Sequence, residues 1–179
     1  MREARTLARD VEGTVIPYGD RITLSEGGEV HVTQALGGTF TVMTERGYLV
    51  RIEGVDADAI GETLPPLPTA DEQAGKSVEQ LVWDQLRTCY DPEIPVSIVE
   101  LGLVYLCEVK ERESGGHKVT IQTTLTSPAC PLGGVLAEDI RRKVLVVPGV
   151  SEVDVEIVFS PPWSSALMSD AARLQLGLM

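Results

Sequence analysis

The tripeptide Ala129-Cys130-Pro131 places a thiol between an alternating stretch, Val119 to Thr126, and a helical pattern that begins near Leu132. A cysteine at such a junction is aimed at the first turn of a helix. There the unpaired backbone N–H groups and the positive end of the macrodipole favour its thiolate. A thiolate attacks an electrophile or holds a soft metal. A lone cysteine is ordinarily a small buried hydrophobe, and three features weigh against that reading. Pro131 suits the first helical position, where its missing N–H costs nothing. The preceding strand sets Thr120, Gln122, Thr124 and Thr126 on one face, a polar row leading to the thiol. Gly133-Gly134 thins the first turn, so that a ligand can approach the backbone.

Nucleophilic catalysis fits the remaining residues poorly. A phosphatase loop would need arginine at position 136, which is Leu136. A cysteine hydrolase needs a histidine base. The two histidines are His31, in the N-terminal part, and His117, in a predicted hairpin turn, and neither has a reason to face Cys130. No C-x-x-C and no histidine pair with zinc spacing occurs, so one chain does not complete a metal site by sequence. Iron–sulfur clusters usually take four thiolates. Cys130 therefore suits one ligand of a transiently held cluster, with the others from a second subunit, a client or a small thiol. Cys89 and Cys107 fall on predicted core elements and read as structural.

Asp91-Pro92-Glu93-Ile94-Pro95-Val96 carries two carboxylates about a rigid proline, fit either for ligation or for a hydrogen-bonded turn. In Glu100-Leu101-Gly102-Leu103-Val104-Tyr105 the glycine between leucines predicts close backbone packing, with Glu100 facing a cleft or water. Gly75-Lys76-Ser77 resembles the end of a phosphate loop. Its first glycine would stand at Ala70 with no strand before it, so no nucleotide site is expected. Asp56 and Asp58 read as solvated acids. Pro161-Pro162-Trp163 puts an aromatic on a rigid turn, either covering a pocket or partner surface or closing a core strand.

The elements that must position these residues fall into two parts. Glu29–Val32, Phe40–Met43 and Tyr48–Ile52 are short alternations divided by Gly27-Gly28, Gly37-Gly38 and Gly47, which predicts a small sheet or barrel-like module over 1–63. Its pattern suits a docking or dimerising element. Leu64-Pro65-Pro66-Leu67-Pro68 and the polar stretch after it read as a stiff, helix-free linker over 64–76. Over 77–179, Ser77 and Gln80 form a capping box before a helix that Pro92 stops. Leu103–Glu111 and Lys118–Thr126 form a hairpin about Ser114-Gly115-Gly116. A helix over Pro131–Val147, a strand over Val153–Phe159 and a last helix capped by Ser169 follow. The layout is α-β-β-α-β-α, an α+β domain preceded by the β-rich module.

Composition limits the function classes. The chain has 179 residues, 15 basic and 27 acidic, for a formal net charge of −12. Residues 1–75 hold 6 basic and 13 acidic residues, and 76–179 hold 9 and 14, so both parts are acidic. Neither has the basic footprint of a nucleic-acid binder or an affinity for an anionic membrane. No apolar run of about 18 residues occurs. The charged segment Met1–Asp10 lacks a signal peptide's apolar stretch. Three cysteines without paired spacing fit a reducing, cytoplasmic setting.

Three segments in order carry a resemblance to a known family: residues 91–105, Thr124-Leu125-Thr126-Ser127-Pro128-Ala129-Cys130-Pro131-Leu132-Gly133, and Val158-Phe159-Ser160-Pro161-Pro162-Trp163. They resemble the PaaD/SufT family of iron–sulfur assembly factors, also termed domain of unknown function fifty-nine. Gln34–Val42 and Asp56–Gly61 look like the extra N-terminal segment of the SufT subgroup. The resemblance implies an α+β domain similar to the C-terminal domain of NifU-type scaffolds. It implies a non-enzymatic role in maturing apo iron–sulfur client proteins alongside other assembly factors, with a transient iron–sulfur cluster and no nucleotide. The family's motif cysteine falls on Cys130, its acids on Asp91, Glu93 and Glu100, and its threonines on Thr124 and Thr126. Glu100 stands where the family often has aspartate. No cysteine follows Cys130, unlike PaaD-like members that carry a C-terminal cysteine set, and no P-loop ATPase is fused. A homodimer pairing Cys130 with its copy, and an adaptor that recruits apo-clients through the acidic surface and Pro161, Pro162 and Trp163 without touching metal, are both compatible with the sequence.

Overall fold

The computed structural model describes residues 3–64, 66, 68–91 and 94–178. The chain divides into two units, Met1–Leu67 and Pro68–Met179, each with its own core. The division falls between Leu67 and Pro68. Residues Ala70–Gln73 nevertheless form one helical turn, α1, where the prolines predicted none. The cause is a capping box: the Thr69 hydroxyl accepts from the Glu72 N–H while the Glu72 carboxylate accepts from the Thr69 N–H.

The first unit is an antiparallel six-stranded sheet: β1 (Ala4–Thr6), β2 (Val11–Ile16), β3 (Arg21–Leu24), β4 (Glu29–Leu36), β5 (Thr39–Thr44) and β6 (Leu49–Glu53), in the order β1-β4-β5-β6-β2-β3. The three central strands carry the expected alternation, and Val42, Val50 and Ile52 on them are fully buried. The 3-10 turn Gly54–Ile60 closes over one end and buries Ala59 and Ile60. Arg9 fastens this turn to the β1–β2 connection, reaching Asp56 at 2.8 Å and Asp58 at 2.7 Å. The two aspartates are thus paired rather than simply solvated. Hydrogen bonding from Arg9 is the main cause holding the Asp58 carboxyl below its usual range.

The second unit is a mixed α+β domain with element order α2 (Val78–Leu86), β7 (Val104–Glu111), β8 (His117–Thr123), α3 (Gly133–Leu145), β9 (Val150–Ile157), α4 (Asp170–Gln175). β7 and β8 form the antiparallel hairpin, and β8 runs parallel to β9 through the α3 crossover. Val82 and Leu86 of α2, Leu136, Ile140 and Val144 of α3, and Val119 and Ile121 of β8 are all fully buried. Each such side chain contributes about 1.5–3 kcal/mol by leaving water. Asp139 on α3 is buried yet doubly paired, with Arg142 at 2.6 Å and Lys143 at 3.4 Å. Lys143 also donates to the Thr88 carbonyl at 2.6 Å, tying α3 to the end of α2. No described helix is long and apolar enough to cross a membrane.

Strand β9 runs over Val150–Ile157 rather than Val153–Phe159, and two further boundaries that differ from the sequence expectation bear on Cys130. Strand β8 ends at Thr123 rather than Thr126, and α3 begins at Gly133 rather than Pro131. Between them the chain turns, because Thr124 and Leu125 are both buried in succession and Leu132 is fully buried. Inward burial of neighbouring residues breaks the two-residue alternation, and the Leu132 N-cap geometry (φ −90°, ψ 4°) brings that side chain into the core before the helix starts.

Candidate functional site

Cys130 lies in consecutive turns between β8 and α3. Its N–H donates to the Ser127 carbonyl at 3.2 Å, and its carbonyl accepts from the Gly133 N–H at 3.5 Å. The first helical N–H is therefore directed to the Cys130 carbonyl rather than to its thiol, and Cys130 stands three residues ahead of the first helical residue. The helix-terminus field is accordingly weaker on the sulfur than Pro131 at the first helical position would have made it. Cys130 is half-buried against the core, flanked by exposed Ala129 and Pro131 and by fully buried Leu132. As a residue, Cys130 is thus neither fully buried nor fully exposed.

The glycine pair after it divides its duties. A Cβ on Gly133 would sit 2.9 Å from Leu125 Cδ1 and 3.3 Å from Ile157 Cδ1, so a side chain there would have to push the ends of those two side chains aside. A Cβ on Gly134 would meet nothing within 4 Å, and that residue is exposed. Gly134 leaves the first turn open beside the thiol segment.

The acidic motif forms a second component. The Cys89 carbonyl accepts from Ile98 at 2.9 Å, Tyr90 bridges Ser97, and the buried Asp91 side chain accepts from the Ile94 N–H at 2.9 Å. Asp91 therefore builds the turn that carries this motif. Pro92 and Glu93, the latter a candidate site acid, lie outside the described residues. Downstream, residues 100–103 receive contacts from four directions. Ser169 donates its hydroxyl to the Glu100 carboxylate, and its N–H to the Glu100 carbonyl at 2.8 Å. The Trp163 indole N–H donates to the Leu101 carbonyl at 2.7 Å. The Thr123 hydroxyl and the Thr124 N–H both donate to the Leu103 carbonyl, at 3.0 and 2.8 Å. Gly102, at φ +74°, lets the backbone pass Leu167 so closely that a Cβ would lie 2.3 Å from the Leu167 carbonyl oxygen.

The candidate residues consequently have distinct placements. Glu100, Thr124 and Trp163 converge on the 100–103 loop, and Asp91 shapes the turn leading into it. Thr126 is half-buried in the loop toward Cys130 and no longer in line with Thr120 and Gln122 on a strand. Trp163 packs on the core and commits its N–H within the chain, which leaves exposed Pro161 and Pro162 as the accessible part of that motif. The Tyr105 hydroxyl holds the same turn through the Pro161 carbonyl at 2.8 Å. Thr123 and Ser169 are positioning residues that the outward-facing pattern concealed. Thr123 shares the inward parity of Val119 and Ile121, and that parity is its readable signal. The partner of Ser169 stands 69 positions away.

The other thiols have different surroundings. Cys89 is fully buried in the core. Cys107, half-buried on β7, has its thiol pushed up to about 11, by burial first and by the Glu79 charge second. None of the three is in a disulfide. Among the described residues no three His, Cys, Asp or Glu side chains cluster to hold a metal ion.

Residues 79–157 match the family described as iron–sulfur cluster assembly protein. The chain is 42% identical over 101 residues to a Porphyromonas gingivalis protein named Fe-S protein maturation auxiliary factor, covering 56% of this chain and 92% of the relative. It is 35% identical over 103 residues to the Fe-S protein maturation auxiliary factor YitW of Bacillus subtilis (58% of this chain, 97% of the relative). It is 36% identical over 88 residues to the Fe-S protein maturation auxiliary factor SufT of Staphylococcus aureus (49% and 96%). Each relative is spanned almost from end to end, and the family match begins only after the β-sheet unit. With those relatives covered so fully, and with the cysteine turn and the acidic loop inside the matched stretch, the chain belongs to the iron–sulfur cluster assembly protein family.

Proposed function

We propose that this chain is an accessory factor that passes iron–sulfur clusters to apo-client proteins, with the Cys130 thiolate as its own ligand to the cargo. The observation that carries the reading is the placement of Cys130: half-buried in a turn between exposed neighbours, beside a glycine that leaves the helix start open. Ligation would release the thiol proton as the sulfur binds iron. A carrier gains from an incomplete ligand set. One protein thiolate cannot satisfy a cluster that takes four, so the remaining positions are filled by a client, another assembly factor, a small thiol or Cys130 of a second copy. Exchange of those ligands is then the delivery step. The Asp91 turn and the clamped 100–103 loop give that segment a fixed form, to orient iron or to meet the client. The names of the relatives, which describe maturation of Fe-S proteins, support the same reading.

Anaerobic reconstitution of the full chain with iron and sulfide tests it. Wild type should bind iron and sulfide with thiolate-to-iron charge-transfer absorption. Cys130→Ser should lose most of both, while Cys89→Ala and Cys107→Ala retain them. Equal cluster content in wild type and Cys130→Ser would refute the ligand role. Retained client binding with no cluster on either protein would assign the chain to the adaptor reading.

A further inference from the structure

The β-sheet unit lies outside the family match, and one of its sheet edges is open. Strand β3 is terminal in the strand order and pairs with β2 alone. The Val15 N–H donates to the Asp20 carbonyl at 2.7 Å, which makes that pair a hydrogen-bonded one. In an antiparallel ladder such pairs alternate. With the register Gly13↔Ile22 and Val11↔Leu24 facing β2, the backbone groups of Arg21 and Thr23 point away from the sheet. Among the described residues no other backbone group meets them.

A groove of about 650 Å³ is lined on one side by Ile22, Thr23 and Leu24 of this strand, and elsewhere by the start of β4 and the β5–β6 turn. Its floor is apolar, from Leu7, Val15, Ile22, Leu24 and Val30. Tyr18 and Tyr48, on two hairpin turns, stand 68% and 52% exposed at its rim. Two exposed tyrosines beside an apolar floor are the composition of a recognition surface rather than of a protected edge. The edge is short, but it has neither a proline nor a bulge to block pairing.

We propose that this groove binds an extended, basic peptide segment of a partner protein as an added strand on β3. The main chain of the peptide would pair with Arg21 and Thr23, and every second side chain would enter the apolar floor beside Ile22 and Leu24. Charge selects the occupant. The groove carries Asp20, Glu29 and Glu45 against Arg46, with exposed Arg21 on the pairing strand, so the local balance is acidic by one charge. The unit as a whole holds 6 basic and 11 acidic residues, a net of −5. Two copies of a chain with net charge −12 repel each other, so a second copy is the disfavoured occupant and a lysine- or arginine-bearing strand the favoured one. The inference does not depend on Cys130 or on any cluster.

The test uses the full chain and fluorescent heptapeptides that alternate valine with lysine, or valine with glutamate. Anisotropy should show saturable binding of the lysine peptide and at least tenfold weaker binding of the glutamate peptide. Amide shifts on binding should centre on residues 18–24 and 44–48. Thr23→Pro removes one outward N–H and should weaken binding at least tenfold. Because that variant can misfold, a lysine peptide N-methylated at alternate residues serves as the second arm, and it should weaken binding to wild type by a similar factor. Equal affinity for both charge types, full binding of the N-methylated peptide, or shifts outside the groove would each overturn the proposal. So would a concentration-dependent dimer abolished by Thr23→Pro, which would assign the edge to a second copy.

Discussion

Gly102→Ala tests the geometry of the loop beside the candidate site. At φ +74° any side chain adopts a left-handed backbone that costs about 1–2 kcal/mol. The added methyl would also lie 2.3 Å from the Leu167 carbonyl oxygen and 2.9 Å from Leu167 C and Cβ. Backbone atoms cannot step aside as a flexible side chain would, so overpacking adds about 1–3 kcal/mol. The sum is about 2–5 kcal/mol. Gly115→Ala is the matched control, since Gly115 has φ +97° but a Cβ there meets nothing within 4 Å. It should cost only the backbone strain. Both tryptophans, Trp83 and Trp163, lie in the second unit, so urea unfolding followed by tryptophan fluorescence reads that unit. Gly102→Ala should lower the midpoint clearly further than Gly115→Ala at unchanged slope. Equal costs, within about 0.5 kcal/mol at the resolution of such fits, would show that residue 102 does not press against Leu167.

Trp163→Phe keeps an aromatic side chain, though a smaller one, but removes the indole donor to the buried Leu101 carbonyl, and should destabilise the second unit by about 1–3 kcal/mol in the same assay. The Cys107 thiol, raised from 9.0 to about 11, binds its proton more tightly folded than unfolded. Its contribution is therefore complete below pH 9 and is lost as pH climbs from about 9 to about 11. That decline should vanish in Cys107→Ala, and Cys107 should alkylate slowly at pH 8 in the folded wild type. Arg9→Gln breaks the pairs to Asp56 and Asp58 and should lower the first unit's melting temperature at low ionic strength, with the difference shrinking in 1 M salt as exposed charges are screened.

The parts of the fold that follow from near neighbours were legible in the sequence. The Ser77–Gln80 capping box, the Ser169 cap and the hairpin about Ser114-Gly115-Gly116 depend on contacts within a few residues. Strands β1, β2 and β3 were not anticipated. β1 is three residues long, β3 is four, and Gly13 interrupts the alternation of β2 because the Val50 side chain fills the space of its missing Cβ. Residue type and position singled out Cys130 and the acidic loop, and the family resemblance fell on the same segments, but local pattern misplaced the helix start by two residues, since burial of Leu132 outweighed the preference of Pro131 for a first helical position. The polar row Thr120 to Thr126 ended early for the same kind of reason: Thr124 and Leu125 both turn inward. The Glu100–Ser169 and Trp163–Leu101 contacts join positions more than sixty residues apart, and no local period encodes them.

The most direct test of cluster delivery through Cys130 is the rate at which an apo-ferredoxin acquires its cluster, followed by circular dichroism in an anaerobic mixture of iron, a sulfide source and catalytic amounts of this chain. Wild type should accelerate acquisition well above the protein-free rate, and Cys130→Ser, with an unchanged unfolding midpoint, should return it to that rate. Undiminished acceleration by Cys130→Ser would contradict the account.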